Sequence, residues 1–352
     1  MLLCDVALEL GRFRLAVSLL AKPGEIVALL GPTGAGKTSA LRCIAGLARP
    51  AGGAILFNDR TWFDSKKRRF VPPHKRDCTM VFAHRALFGN LDVSENVAFG
   101  MRAIGVPEAV IRRRVAELLD FVGAGALADR GTSLLSNGEA QRIAIARALA
   151  VESGVLLLDE PLSSLDVGAR PPLRAALRRR IGAESTTAIL VTHEPAEALA
   201  FADRLVIMEN GATVQEGTPA ELLASPASVY AAAFAGVNYY RGVAHPSDGG
   251  TSTVLVDGET SLTVLGGWSG PVTVTIDPSA VMLSLSAVRS SARNHLQGRI
   301  EHVELEGDSL RVAVASRPRI IARVSAQAAS ELGLAAGAEV FATFKAAELK
   351  VS

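Results

Sequence analysis

The sequence predicts two domains of different class, an α/β domain over residues 1–235 and an all-β, barrel-like domain over 236–352. Three observations predict them. Short apolar runs at 25–30, 78–82, 154–158 and 187–192 alternate with helical patterns, as buried parallel strands and their crossover helices do. The first run leads into Gly31-Pro32-Thr33-Gly34-Ala35-Gly36-Lys37-Thr38, which fits G-x-x-x-x-G-K-[ST] at every fixed position and opens a helix. Beyond Gly242 the texture changes to short Val- and Thr-rich segments separated by Gly, Asp and Pro, the pattern of antiparallel strands.

The loop 31–38 explains its own composition. A triphosphate is a dense anion, so its site needs many N–H donors converging on one point. Glycines let the backbone wrap that closely, and the helix beginning at Thr38 and Ser39 adds the positive end of its dipole. Lys37 reaches the β- and γ-phosphates in this reading, and the Thr38 hydroxyl ligates Mg²⁺. A nucleoside triphosphate with Mg²⁺ is therefore the expected ligand.

Further helices are expected at 38–47, 107–122, 137–150, 168–181 and 194–202, then a short piece from Pro219 to Ala224 and a helix from Pro226 to Phe234. In the C-terminal part, strands are expected at 253–256, 272–276, 298–305, 310–315, 318–324 and 339–344, with a helix from Ala326 to Leu332. This part reads as two related small units.

Bulk properties exclude several classes. With 37 basic and 35 acidic side chains the net charge is +2, so no electrostatic case for nucleic acid exists. The three cysteines, Cys4, Cys43 and Cys78, are scattered and form no C-x-x-C pair, which fits reduced thiols in a cytosol. The N-terminus lacks a basic region followed by an apolar core and cleavage site, so no signal peptide is expected. Nor does any run of about 18 apolar residues appear, so no membrane-spanning helix is expected.

Val155-Leu156-Leu157-Leu158-Asp159-Glu160 is a hydrophobic strand ending in two carboxylates. Asp159 holds Mg²⁺ through water in this reading, and Glu160 polarises the attacking water as general base. The alternative is a structural acid pair. His193 ends the next apolar strand, on the sheet edge where ligands of open α/β folds collect, and is the candidate γ-phosphate sensor.

Between these lies Leu135-Ser136-Asn137-Gly138-Glu139-Ala140-Gln141-Arg142, which resembles the signature motif of ABC ATPases. The order of phosphate loop, signature, acid pair, Ser163-Ser164-Leu165-Asp166 and His193 is similar to that family across the first 235 residues. The resemblance implies a head-to-tail homodimer. Ser136, Asn137, Gly138, Glu139 and Asp166 of one subunit would close over the nucleotide held by the other. Phe13 is the candidate for stacking on adenine, with core packing as the alternative. It also implies a peripheral subunit on the cytoplasmic face of a cell membrane, docked on permease subunits and served indirectly by a solute-binding protein. Ser94-Glu95-Asn96-Val97-Ala98-Phe99-Gly100, with Ser94 as the expected N-cap, is where the permease would dock.

Two positions depart from the family pattern. Val81-Phe82-Ala83-His84-Arg85-Ala86-Leu87-Phe88 looks like the loop that carries glutamine where Ala83 stands, and alanine can neither ligate Mg²⁺ nor orient water. The signature carries Asn137 in place of glycine; asparagine tolerates a left-handed backbone but would crowd the phosphate site. Slow hydrolysis, or compensation by a neighbour such as His84, follows from these departures.

The stretch from Ser291 to Ile300, with Glu331–Gly337 and Phe344-Lys345-Ala346, resembles the OB-like molybdate-binding (Mop/TOBE-type) domain, over about 291–352. That resemblance implies the ATPase of a molybdate importer with a regulatory oxyanion site made by Ser291, Arg293, Asn294 and Lys345. Importers of sulfate, iron(III) and other solutes share the N-terminal motifs and form the alternative, beside a slow, regulatory ATP-binding module. Soluble ABC ATPases of DNA repair or translation would need a coiled-coil insertion or tandem domains, and neither is found in the sequence.

Overall fold

In the computed structural model, which describes residues 1–352, the chain divides into two compact units, Met1–Leu222 and Leu223–Ser352. The sequence boundary near 236–241 lies a little further along. In the first unit β1 (Leu2–Leu10) and β2 (Phe13–Ala21) are followed by β3 (Ile26–Leu30) and α1 (Lys37–Ala45). Then come β4 (Gly52–Phe57), β5 (Arg60–Asp64), β6 (Arg69–Phe70), β7 (Cys78–Val81), α2 (Val93–Ala103), α3 (Glu108–Phe121) and α4 (Asn137–Ala150). The unit continues with β8 (Val155–Asp159), α5 (Arg170–Ala183), β9 (Thr187–Val191), α6 (Pro195–Phe201), β10 (Arg204–Glu209) and β11 (Ala212–Gly217), and α7 (Pro219–Ala224) spans the division.

All eleven strands form one sheet in the order β6-β5-β4-β1-β2-β11-β10-β3-β9-β8-β7. Its functional half is parallel, with β10, β3, β9, β8 and β7 side by side. Every residue of β3, β8 and β9 is buried, as parallel strands covered on both faces require. The strands β6, β5, β4, β1 and β2 pair antiparallel, and β1 and β2 alternate buried with exposed residues because only one face is covered. The parallel arrangement sends the C-terminal ends of β3, β8 and β9 to one edge, where the phosphate loop, the acid pair and His193 follow them.

The start of α2 differs from expectation. Asp92 is its N-cap, accepting from the Glu95 N–H at 2.7 Å while the Glu95 carboxylate accepts from the Asp92 N–H at 3.0 Å. Ser94 lies within the first turn, and its hydroxyl donates to the Ala128 carbonyl at 3.0 Å. A carboxylate three residues before Glu95 makes the reciprocal box, which a cap at Ser94 would forgo.

The second unit holds α8 (Val229–Ala235), β12 (Asn238–Ser247), β13 (Thr251–Val256), β14 (Thr260–Leu265), β15 (Gly270–Ile276) and β16 (Met282–Ser284). β17 (Asn294–Glu306), β18 (Ser309–Ala315), β19 (Ile320–Ser325), α9 (Ala326–Glu331), β20 (Glu339–Phe344) and β21 (Lys350–Val351) complete it. Two five-stranded sheets form, β14-β13-β12-β15-β21 and β16-β20-β17-β18-β19. The halves are related, as expected, but share one core: Val254, Leu262 and Val274 of one sheet pack with Ile300, Val312 and Val340 of the other. Each half opens on Asn-x-x-x-Gly, Asn238 to Gly242 and Asn294 to Gly298. A Cβ at Gly242 would stand 2.6 Å from the Leu255 carbonyl oxygen, and one at Gly298 would stand 2.7 Å from that of Ala315. Both glycines therefore permit the same close approach of strands.

Candidate active site

Glycine is required at two points of the phosphate loop. Gly31 has φ 150°, and a Cβ there would meet the Met208 carbonyl oxygen of β10 at 2.0 Å. Gly36 has φ 98°, and a Cβ there would fall 2.8 Å from Leu15 and 3.0 Å from the Phe13 ring. α1 begins directly after Gly36 with no side chain capping its first N–H groups, so those donors and the dipole end stay available to an anion. Lys37 Nζ folds over the loop, donating to the Gly31 carbonyl at 2.6 Å and the Pro32 carbonyl at 3.0 Å. Burial lowers the Lys37 pKa, and the carboxylates of Glu160 and Asp159 oppose that shift.

The end of β8 supplies the acids. Thr38 Oγ1 donates to Asp159 Oδ1 at 3.1 Å, which brings a hydroxyl and a carboxylate together as a hard cation requires. Burial raises the Asp159 pKa; the Thr38 hydrogen bond opposes this, and the neighbouring Glu160 charge adds to it. Glu160 takes a left-handed backbone, φ 50°, unusual for a non-glycine residue. Its N–H donates to the Val191 carbonyl at 2.9 Å, and its Oε1 lies 3.3 Å from His193 Nδ1. That turn aims the carboxylate along the sheet edge rather than into the core.

A cleft of about 400 Å³ is lined by Thr33, Gly34, Gly36, Lys37, Thr38 and Ser39, together with Glu160, Phe13, Leu10 and Val191. Gly31 and Ala35 are buried behind the loop, while Pro32 is on its surface. The structure thus gathers the phosphate loop, Asp159, Glu160, His193 and Phe13 in one place.

The signature residues lie elsewhere. Ser136, Gly138, Glu139 and Asp166 line a second cleft of about 330 Å³ with Leu165 and Arg142, and no phosphate-loop residue borders it. Ser136 caps α4: its hydroxyl accepts from the Glu139 N–H at 3.2 Å, and Glu139 accepts from the Ser136 N–H at 2.7 Å. A hydroxyl that accepts keeps its own proton for another acceptor. Asn137 needs correction. It is the first helical residue of α4, outside the left-handed region, so glycine's freedom is not needed there.

Two arginines escaped the sequence reading. Arg170 donates to both Glu194 oxygens at 2.7 Å, to the Leu165 carbonyl at 2.8 Å and to the Ser163 carbonyl at 3.0 Å. It fixes the Ser163–Asp166 loop to the residue after His193. Arg85 reaches from the Ala83 loop to Asn137 at 2.8 Å and Ser164 at 3.2 Å. Their signal was a basic residue next to each motif, but sequence does not show which carbonyls such a residue meets. Ala83 is exposed and carries no polar side-chain atom, whereas His84 is close enough to lower the Asp159 pKa slightly.

In the second unit Ser291, Arg293 and Lys345 are exposed at one end of the β17–β20 pair, where Asn294 lies opposite Phe344. Asn294 does not join them as expected. It is buried, accepting from the Thr263 N–H at 2.8 Å and donating to the Thr263 carbonyl at 2.9 Å. Its carboxamide ties the sheets together instead of facing a ligand.

Residues 15–163 match the family model of the ABC transporter, and residues 290–351 match the TOBE domain. The Fe(3+) ions import ATP-binding protein FbpC 1 of Rhizobium meliloti is 38% identical, covering 85% of this chain and 82% of its own length. The chain belongs to the ABC transporter family. The sulfate/thiosulfate import ATP-binding protein CysA of Nitrosomonas europaea is 37% identical over 96% of this ABC chain and 93% of its own. A dimeric ATP-binding cassette in a post-hydrolysis state, bound to ADP and Pi, has a TM-score of 0.55 at 26% identity, covering 62% of this chain and 98% of its own.

The ABC ATPase domain binds ATP with Mg²⁺, and its residues fit both. Uncapped N–H groups at α1 and the Lys37 ammonium suit the phosphates. The Thr38–Asp159 oxygen pair suits the cation, which would relieve the burial of the Asp159 charge. Within the β-rich second unit, residues 290–351 match the TOBE domain, in keeping with an OB-like fold. No helix is long and apolar enough to cross a membrane.

Proposed function

We propose that this chain is the ATP-hydrolysing subunit of an importer for an inorganic ion, acting as a head-to-tail pair on the cytoplasmic face of a membrane permease. The observation that carries this reading is the separation of two half-sites. Lys37, Thr38 and Glu160 line one cleft, with Asp159 beside Thr38 and His193 beside Glu160, while Ser136, Gly138 and Asp166 open on another. A second copy turned end to end supplies the missing half. The uncapped α1 terminus and the α4 terminus, with its free Ser136 proton, then face the same γ-phosphate.

Hydrolysis follows from the acids. Glu160 accepts a proton from a water whose oxygen attacks the γ-phosphorus; the bond from that phosphorus to the β–γ bridging oxygen breaks, and ADP leaves with the electron pair. His193, 3.3 Å from Glu160, orients the carboxylate and senses the γ-phosphate. Thr38 and Asp159 would hold Mg²⁺, which when bound would neutralise charge along the phosphates. With alanine at position 83 no carboxamide orients the water, so turnover depends more heavily on Glu160 and His193.

For cargo, sulfate or thiosulfate is the favoured reading. Relatives named for sulfate/thiosulfate and for Fe(3+) import both match, and a sulfate/thiosulfate relative aligns along 96% of this chain, the TOBE unit included. Molybdate is a second reading, favoured only by Ser291, Arg293 and Lys345 lying together at one end of the TOBE strands, where a tetrahedral dianion finds a hydroxyl and two cations. Uptake of labelled sulfate, iron(III) and molybdate into cells lacking this chain, with and without its restoration, tests the assignment. Loss and recovery of sulfate uptake is the expected result. Unchanged sulfate uptake with loss of either other ion would replace the cargo, and no change in any of the three would remove the import reading.

A further inference from the structure

One guanidinium joins the loop of the first family departure to the residue of the second. Arg85 lies two residues past Ala83 and donates from Nη1 to Asn137 Oδ1 at 2.8 Å and from Nη2 to Ser164 Oγ at 3.2 Å. Asn137 opens α4, and Ser164 follows the acid pair. Glycine at position 137 would offer no side-chain acceptor, so Asn137 and Arg85 form a matched pair.

The loop that carries Arg85 is itself held from the same helix. Arg85 and Ala86 both have left-handed backbones, φ 63° and 50°. Arg147, in the last turn of α4, donates to the Arg85 carbonyl at 3.0 Å and the Ala86 carbonyl at 2.8 Å, with its guanidinium 5.2 Å from the Phe88 ring centre. The loop therefore meets α4 at two places, near its end through Arg147 and at its first residue through Arg85. Arg85 Nε is buried with no protein partner, so the side chain is held by its two terminal nitrogens alone. A planar fork can serve two acceptors at fixed spacing, which a lysine ammonium on a flexible stem does not do with the same geometry.

We propose that Arg85 is a positioning residue for ATP hydrolysis. Acting through Asn137 and Ser164, it sets the N-terminus of α4 against the loop that follows Glu160, in a chain whose Ala83 has no side chain to make such a link. This rests on the reading that Ser136 and Gly138 act on the nucleotide of a second copy. Because neither Arg85 nor Asn137 lines the phosphate-loop cleft or the signature cleft, loss of the tie is felt in turnover and hardly in ATP affinity.

The full-length chain and its Arg85→Ala, Arg85→Lys, Asn137→Ala and doubly alanine-substituted variants test this. In each, kcat and KM for ATP and the hydrogen exchange of the first α4 amides, residues 138–141, are measured. Arg85→Ala and Asn137→Ala should each lower kcat about tenfold with KM within about twofold, and the double variant should lose no more than Arg85→Ala alone. Arg85→Lys should recover only part of the loss, and exchange should quicken in the alanine variants. A parental kcat in Arg85→Ala, multiplying losses in the double variant, or unchanged exchange would each overturn the proposal. A parent chain that does not hydrolyse ATP would sink the functional reading instead, and the exchange measurement would still decide whether the tie positions α4.

Discussion

Asn294 grips Thr263 by both backbone groups, accepting from its N–H at 2.8 Å and donating to its carbonyl at 2.9 Å. The same pattern recurs in the other half of the second unit, where Asn238 accepts from the Ile321 N–H at 2.7 Å and donates to its carbonyl at 2.9 Å. Each asparagine opens the first long strand of one sheet and closes onto an edge strand of the other, β14 or β19. The two ties are reciprocal, so neither half is complete without its counterpart.

Asn294→Ala should therefore destabilise this unit strongly. It strands the half-buried Thr263 N–H and carbonyl, at about 1–3 kcal/mol for each unpaired group. Urea unfolding followed by Trp268 fluorescence, in a Trp62→Phe background, reads this unit because the chain has only 2 tryptophans. The midpoint should fall by about 1 M, taking a slope of about 2 kcal/mol/M. Asn238→Ala should behave alike, and ATP affinity should not change. An unchanged midpoint for both variants would show that the ties contribute nothing.

The Asp159 carboxyl gives a pH-dependent prediction. Burial holds its pKa above the ordinary 3.8, so the folded state disfavours the charged form. Below 3.8 the group is protonated in both states and costs nothing. As pH rises through that value the unfolded chain ionises first, and the penalty is complete once pH passes the raised folded value. In the absence of nucleotide and Mg²⁺, Asp159→Asn should raise Tm at pH 7 by about 2 °C or more. The gain should shrink toward pH 4, while Mg²⁺-dependent ATP binding weakens. A lower Tm at pH 7 would mean that the Thr38 contact outweighs burial.

The parallel half of the sheet was legible because its strands are buried on both faces and read as unbroken apolar runs, as 155–158 and 187–191 do. The antiparallel half was not. β1 and β2 alternate buried and exposed residues but carry Leu3, Leu10 and Leu20 on the exposed side, which blurs the period-two signal. Lys37, Thr38, Asp159, Glu160 and His193 were legible because fixed spacings place them at one sheet edge. Asn294 was misread because a buried inter-sheet tie and an oxyanion donor have the same composition. Which one it is depends on Thr263, far away in sequence.

In the proposed function, hydrolysis needs the phosphate loop of one copy and the signature helix of another. Glu160→Gln removes the proton acceptor while leaving Lys37, Thr38 and Asp159 in place, so ATP should bind and persist. Light scattering on this variant with and without Mg²⁺-ATP is the most direct measurement. The expected result is the mass of one chain without nucleotide, twice that mass with it, and hydrolysis reduced at least about 100-fold. Bound ATP with the mass of a single chain, or hydrolysis at the parent rate, would contradict it.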